Sequence, residues 1–199
     1  DGGYFAGRGM AGREKGIRRL MSINLLKRLE SSVNSFRLTL QRIQGLITST
    51  MDKLNPGNAC QNIEVEDIHT ILDSDDQEAD MFIGGKKTKI ALQDLDHIAW
   101  RRYLSEDLEN LNLLLLMLAD ITPQHDSKLQ QLIADLRHKF ANPINEGNKK
   151  VIIFTAFSDT AEYLYDCLAQ PIKEKHGLNT ALVSGDVEAR STVRLPQRE

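Results

Sequence analysis

Between residues 14 and 54, apolar side chains recur at Leu29, Val33, Phe36, Leu40, Ile43, Ile47 and Met51. Steps of three and four bring them onto one face of an α-helix, whose repeat is 3.6 residues. Leu25 and Leu26 precede the stripe, no proline interrupts it, and Pro56-Gly57 is the signal that stops it. Such a helix would extend roughly 60 Å at 1.5 Å per residue, so it must project from a small domain or pack along another long helix.

A second helical pattern starts near Gln93 and carries Leu104, Leu108, Leu111, Leu115 and Leu118 on one side. Thr122-Pro123 reads as a cap and a first-turn proline, opening a third helix with Leu129, Leu132, Ile133, Leu136 and Phe140. The three stripes can bury one another, and the first two helices are expected to run antiparallel because the segment between them returns the chain.

From Lys149 the pattern changes. KKVIIFTAF is the kind of run that forms a strand buried on both faces of a parallel sheet. Ser158 or Asp159 would cap a following helix bearing Ala161, Leu164, Tyr165 and Leu168, ending before Pro171 and Gly177, and LNTALVSG reads as a second strand. Strand, helix, strand makes a βαβ unit with the usual right-handed crossover. The expected fold class is therefore α/β and helix-rich: long antiparallel helices plus a truncated βαβ unit, too small for a complete sheet.

Composition excludes several classes. The chain has 199 residues, 41% of them hydrophobic and 27% charged, which suits one domain or two small ones and excludes wholesale disorder. The longest purely apolar run, Leu113 to Ala119, is far short of the ~20 residues of a membrane span. The opening DGGYFAGRGMAG has no signal-peptide core, and Cys60 and Cys167 make neither a disulfide framework nor a zinc motif. These features lead to the expectation of a cytoplasmic protein with no membrane partner.

The formal charge of −3 conceals a strong asymmetry. Residues 1–54 hold ten Lys/Arg against four Asp/Glu, whereas residues 55–85 hold eight Asp/Glu and no Lys or Arg. The basic head is either a solvated helix face or a surface for a polyanion, since each cation that neutralises a phosphate releases counterions. Residues 55–92 lack periodicity and read as an exposed, mobile acidic insert. Asp73, Asp75, Asp76, Glu78 and Asp80 do not have the Gly and Glu spacing of an EF-hand loop.

Motifs for self-sufficient chemistry are missing. Gly7 to Gly12 spells G-x-G-x-x-G, but no strand precedes it, and Arg13-Glu14 stand where a P-loop needs Lys and Ser/Thr. A flexible lead-in over residues 1–13 accounts for it better than a nucleotide site. His69, His97, His125, His138 and His176 are scattered, there is no nucleophile elbow, and Trp100 and Tyr103 read as packing anchors.

Three phrases, in order, resemble one family. The first is RLMSINLLKRLESS from Arg19 to Ser32, with Phe36-Arg37-Leu38 after it. The second is Asp126-Ser127-Lys128-Leu129 opening a helix, then Lys149 to Thr155 with Phe157 and Thr160. The third is Val183-Ser184-Gly185 followed by Arg190. Together they resemble the bacterial Swi/Snf-type branch of superfamily 2 ATP-dependent DNA helicases and translocases, over about 14–54 and 123–195. The resemblance implies a helical arm between two motor lobes (14–122, carrying the acidic insert) and the start of the second RecA-like lobe (123–199).

In that family ATP and Mg are held by a P-loop and a D-E-x-x box on lobe one, and an arginine finger lies late in lobe two. None of these motifs occurs in this sequence, so the resemblance implies no bound cofactor and no ATP hydrolysis by this chain alone: the transition-state charge on the γ-phosphoryl would go unneutralised. It also implies the first motor lobe as a partner and a nucleic-acid role. Strand-end residues of lobe two approach the DNA backbone independently of sequence, which transfers to Thr155, Phe157, Thr160, Ser184 and Gly185 here. Arg28, Arg37 and Arg42 would add a basic track along the first helix. The alternative from another class is a non-enzymatic helical interaction module, its stripes forming a coiled-coil-like pair or a homodimer seam.

Overall fold

The computed structural model describes residues 3–54, 62–64, 89–91, 96–185 and 188–193, with side chains omitted for 3–14, 17, 62–64, 89–91 and 97. It is helix-rich. The elements are α1 (Gly3–Ser31), α2 (Val33–Lys53), β1 (Asn62–Glu64), β2 (Lys89–Ala91), α3 (His97–Ala119), α4 (Ser127–Ala141), α5 (Ser158–His176), β3 (Ala181–Leu182) and β4 (Arg190–Ser191). The chain divides into two compact units, Asp1–Lys27 with Phe36–Leu118, and Arg28–Ser35 with Ala119–Glu199.

The single long helix expected over 14–54 is two helices broken at Ser32. The Ser32 N–H still closes the last turn of α1 on the Arg28 carbonyl (2.9 Å), while its Oγ accepts the Ser35 N–H (3.0 Å) and so caps α2. A serine hydroxyl that takes a backbone donor three residues on competes with continued helix, and here it prevails over an uninterrupted apolar stripe. At the other end α1 already begins at Gly3, so Gly7, Gly9 and Gly12 lie within helix instead of a lead-in.

In the first unit, α2 and α3 are antiparallel. Arg37 donates to the Leu118 carbonyl (2.6 Å) and Gln44 Nε2 to Asn112 Oδ1 (2.6 Å), so positions advance on one helix as they recede on the other. The expected stripe of α3, Leu104, Leu108, Leu111, Leu115 and Leu118, is its half-buried side, and Leu40 of α2 and Leu54 just after it are buried. The described helix begins at His97, with the Asp96 carboxylate accepting the Ala99 N–H, and Gln93, where the start was expected, lies outside the described residues. Pro56-Gly57 and most of the acidic insert also lie outside them. What is described there is a ladder: β1 and β2 pair antiparallel in the register Asn62↔Ala91, Ile63↔Ile90, Glu64↔Lys89.

The second unit is built on α4 against α5. Leu129, Leu136, Phe140 and Leu168 form its buried core, edged by Leu132, Ile133, Tyr163, Leu164, Cys167, Ile172 and Leu178. The third stripe therefore packs on α5, where three mutually packed helices were expected. Its cap is Asp126, not Thr122: Asp126 Oδ1 accepts the Leu129 N–H (3.0 Å) and Oδ2 accepts the Tyr163 hydroxyl (3.0 Å). An aspartate bonded on both oxygens and buried holds the helix start better than an exposed threonine beside a proline that sits in a turn.

α5 continues through Pro171, where an end was expected, and terminates at Gly177 in the left-handed conformation (φ 65°), its N–H on the Lys173 carbonyl. The bond lost at the proline is offset by the next turn, where Ile172 packs on the core. The β3–β4 hairpin is fastened to α5 by Lys173 Nζ on the Thr192 carbonyl (2.8 Å) and by Arg190 on Asp166 (2.8 Å).

The expected βαβ unit is only partly realised. β3 is the core of the LNTALVSG strand, but it pairs antiparallel with β4, in the register Ala181↔Ser191 and Leu182↔Arg190. The run expected as the first strand forms no ladder among the described residues. A strand apolar on both faces is buried only when sheet neighbours flank it and other layers cover it, and here Val151, Ile152, Ile153 and Phe154 are 41%, 79%, 41% and 90% exposed.

Candidate functional site

The densest set of polar contacts in the second unit is where the elbow between α1 and α2 meets the start of α5. Three consecutive residues there, Ser158, Asp159 and Thr160, are buried although all are polar. The helix has no side-chain cap of its own, since the residue in the N-cap position is Phe157. Its first turn is held from elsewhere.

Arg28 does most of that holding. Its side chain is fully buried, with Nη1 3.1 Å from Asp159 Oδ2 and 3.5 Å from Ser35 Oγ, and its guanidinium carbon lies 4.7 Å from the centre of the Phe157 ring. An arginine withdrawn from water loses several kcal/mol of hydration, offset only when a carboxylate and hydrogen bonds meet its fork and a ring accepts its face. Beside it the Ser31 and Ser32 hydroxyls lie 2.9 and 3.1 Å from Thr160 Oγ1. Lys128 of α4 bonds the Glu30 carbonyl, and Thr155 Oγ1 donates to the Phe157 carbonyl (2.7 Å). One cluster thus joins the end of α1, the cap of α2 and the turn Thr155 to Phe157.

Of the residues nominated from sequence, the cluster brings together Arg28, Thr155, Phe157 and Thr160. Arg28, Phe157 and Thr160 are buried, with the donors and faces described above directed inward, and Thr155 is half-buried. Ser184 (half-buried) and Gly185 (exposed) follow β3 in the same unit. Arg37, bound to the Leu118 carbonyl, and the exposed Arg42 belong to α2 and the first unit. Sequence reasoning missed Asp159 as the partner of Arg28, and Ser31, Ser32 and Ser35 altogether. The legible signal was Ser32 itself, a capping residue type inside an apolar stripe.

A second network backs the cluster. The Tyr163 hydroxyl is pushed well above the usual tyrosine range, first by burial and then by the Asp126 carboxylate it bonds; burial likewise raises the Cys167 thiol. Both remain protonated at neutral pH, so Cys167 is a poor nucleophile and the pair serves packing and hydrogen bonding. Among the described residues no group of His, Cys, Asp and Glu could hold a metal ion, and no helix is long and apolar enough to cross a membrane. No protein family, curated protein or solved structure matches the chain.

Proposed function

We propose that the chain is the helical arm and the opening of the second RecA-like lobe of a Swi/Snf-type ATP-dependent DNA translocase. One observation carries this reading. Two of the phrases that resemble that family, RLMSINLLKRLESS and the run from Lys149 with Phe157 and Thr160, lie some 130 residues apart and meet where Arg28 covers the Phe157 ring and Ser31 and Ser32 bond Thr160. The apolar run 151–154 supports it too, because a RecA-like lobe would use such a segment as an inner strand. In this reading ATP and Mg are held with the first motor lobe, lobe closure drives movement along the duplex, and this chain supplies the arm and part of the DNA track. Thr155 after the apolar run and Ser184 and Gly185 after β3 face the phosphates, with Arg42 on the arm adding charge, while Arg28, Phe157 and Thr160 are occupied inside the protein.

The test is binding of the 199-residue chain to fluorescent duplexes of unrelated sequence over a range of salt. The expected result is equal affinity for each duplex and a linear fall of log K with log salt, with a slope of about −0.9 per phosphate contacted. Absence of binding at low salt, or ATP turnover by the chain alone, refutes the reading. One observation favours the alternative of a helical interaction module: Leu113, Leu114, Leu116 and Met117 at the end of α3 are 57%, 42%, 69% and 67% exposed. Sedimentation at several concentrations would then show a dimer that dissociates on dilution.

A further inference from the structure

We propose that Arg28 is a positioning residue: from the last turn of α1 it fixes the Thr155–Thr160 turn through which the second lobe contacts DNA. This rests on the function proposed above and assigns Arg28 a role opposite to the one its charge suggests. A basic residue in a basic segment is expected to reach a phosphate. Arg28 is fully buried, pairs with Asp159 at 3.1 Å and covers the Phe157 ring at 4.7 Å.

The geometry supplies a route from Arg28 to the turn. α5 begins after Phe157 without a side-chain cap, so its start lacks the bond that usually fixes one. Arg28 touches both the cap residue and the second residue of the helix, and Ser31 and Ser32 hold the third through Thr160. Thr155 bonds the carbonyl of that same cap residue. Moving the elbow therefore moves the cap, and moving the cap moves Thr155. A planar guanidinium suits this role, since it pairs at its edge and stacks on its face at once, which a lysine ammonium cannot do.

The test uses the full chain, fluorescent duplex DNA as the probe, and two variants, Asp159→Asn and the double variant Arg28→Met with Asp159→Asn. The double variant leaves no buried charge without a partner, so it keeps the fold where Arg28→Ala or Asp159→Asn alone risks losing it, and Asp159→Asn is read only where its denaturation curve shows it folded. Positioning predicts that both variants weaken DNA binding about tenfold, the size of a typical coupling between two sites, with the salt slope unchanged. Asp159→Asn gives the sharpest sign. It removes a negative charge, so direct electrostatics predicts tighter binding and positioning predicts weaker.

Unchanged affinity in a folded double variant overturns the proposal, because a merely structural role would be met by restored stability. A slope shallower by about 0.9 in the double variant, with tighter binding by Asp159→Asn, also overturns it and makes Arg28 a phosphate contact. If the unaltered chain binds no duplex, it is the translocase reading that fails. Positioning is then read from hydrogen exchange at the Thr160 and Ala161 amides, with Leu136 and Phe140 as core controls. Faster exchange confined to the turn sustains it, and unchanged exchange overturns it.

Discussion

The elbow at Arg28–Ser35 and the run 151–154 invert each other. The elbow is among the most polar stretches in its unit, and Arg28 and Ser35 within it are fully buried. The run is Val-Ile-Ile-Phe, and every one of its residues is at least 41% exposed. Hydropathy alone would exchange the two. The difference shows that burial here follows partnership: a guanidinium can leave water when a carboxylate, a hydroxyl and a ring receive it, and a β-branched run stays exposed where no ladder among the described residues flanks it.

The largest effect should come from breaking the buried side of this comparison. Arg28→Ala strands the Asp159 carboxylate and should cost about 3–5 kcal/mol in chemical denaturation. A loss under about 1 kcal/mol would mean that the pair is open to solvent, where such bridges contribute little.

A smaller effect is expected one turn further along α5. Tyr163→Phe removes a hydroxyl that bonds Asp126 and should cost about 1 kcal/mol at neutral pH. The folded state also holds the Tyr163 proton more tightly than the unfolded chain does. Above the usual tyrosine value of about 10 the unfolded state carries fewer protons, so stability falls as pH rises. Denaturation measured across alkaline pH should show that decline lessened in Tyr163→Phe.

The smallest effect belongs to the exposed side. Ile152→Lys and Phe154→Lys, at positions 79% and 90% exposed, should change stability by no more than about 0.5 kcal/mol. A large loss in either would show the run to be covered, and would end the contrast with the elbow.

Legibility in the sequence follows the same division. The stripe of α3, the α4 core positions Leu129, Leu136 and Phe140, and the αL stop at Gly177 were readable, because periodicity and glycine report local backbone geometry. The Ser32 break was missed because a long apolar stripe outweighed a single capping serine. The local pattern put the cap at Thr122 although the resembling phrase opened a helix at Asp126, whose second bond comes from Tyr163, 37 residues away. The cluster at Arg28 was least legible. The basic segment pointed to Arg28 and the resemblance to Phe157 and Thr160, but only tertiary contact shows that they meet one another.

The β1–β2 ladder has a consequence for how this protein can change. Its three residue pairs clip 62–64 to 89–91, so whatever hangs from that neck begins and ends at adjacent points. Doubling the length of a loop with joined ends adds only about 0.6 kcal/mol of closure entropy. The neck thus ties positions 64 and 89 together, so a change in the length of chain between them carries little closure cost for the helices on either side.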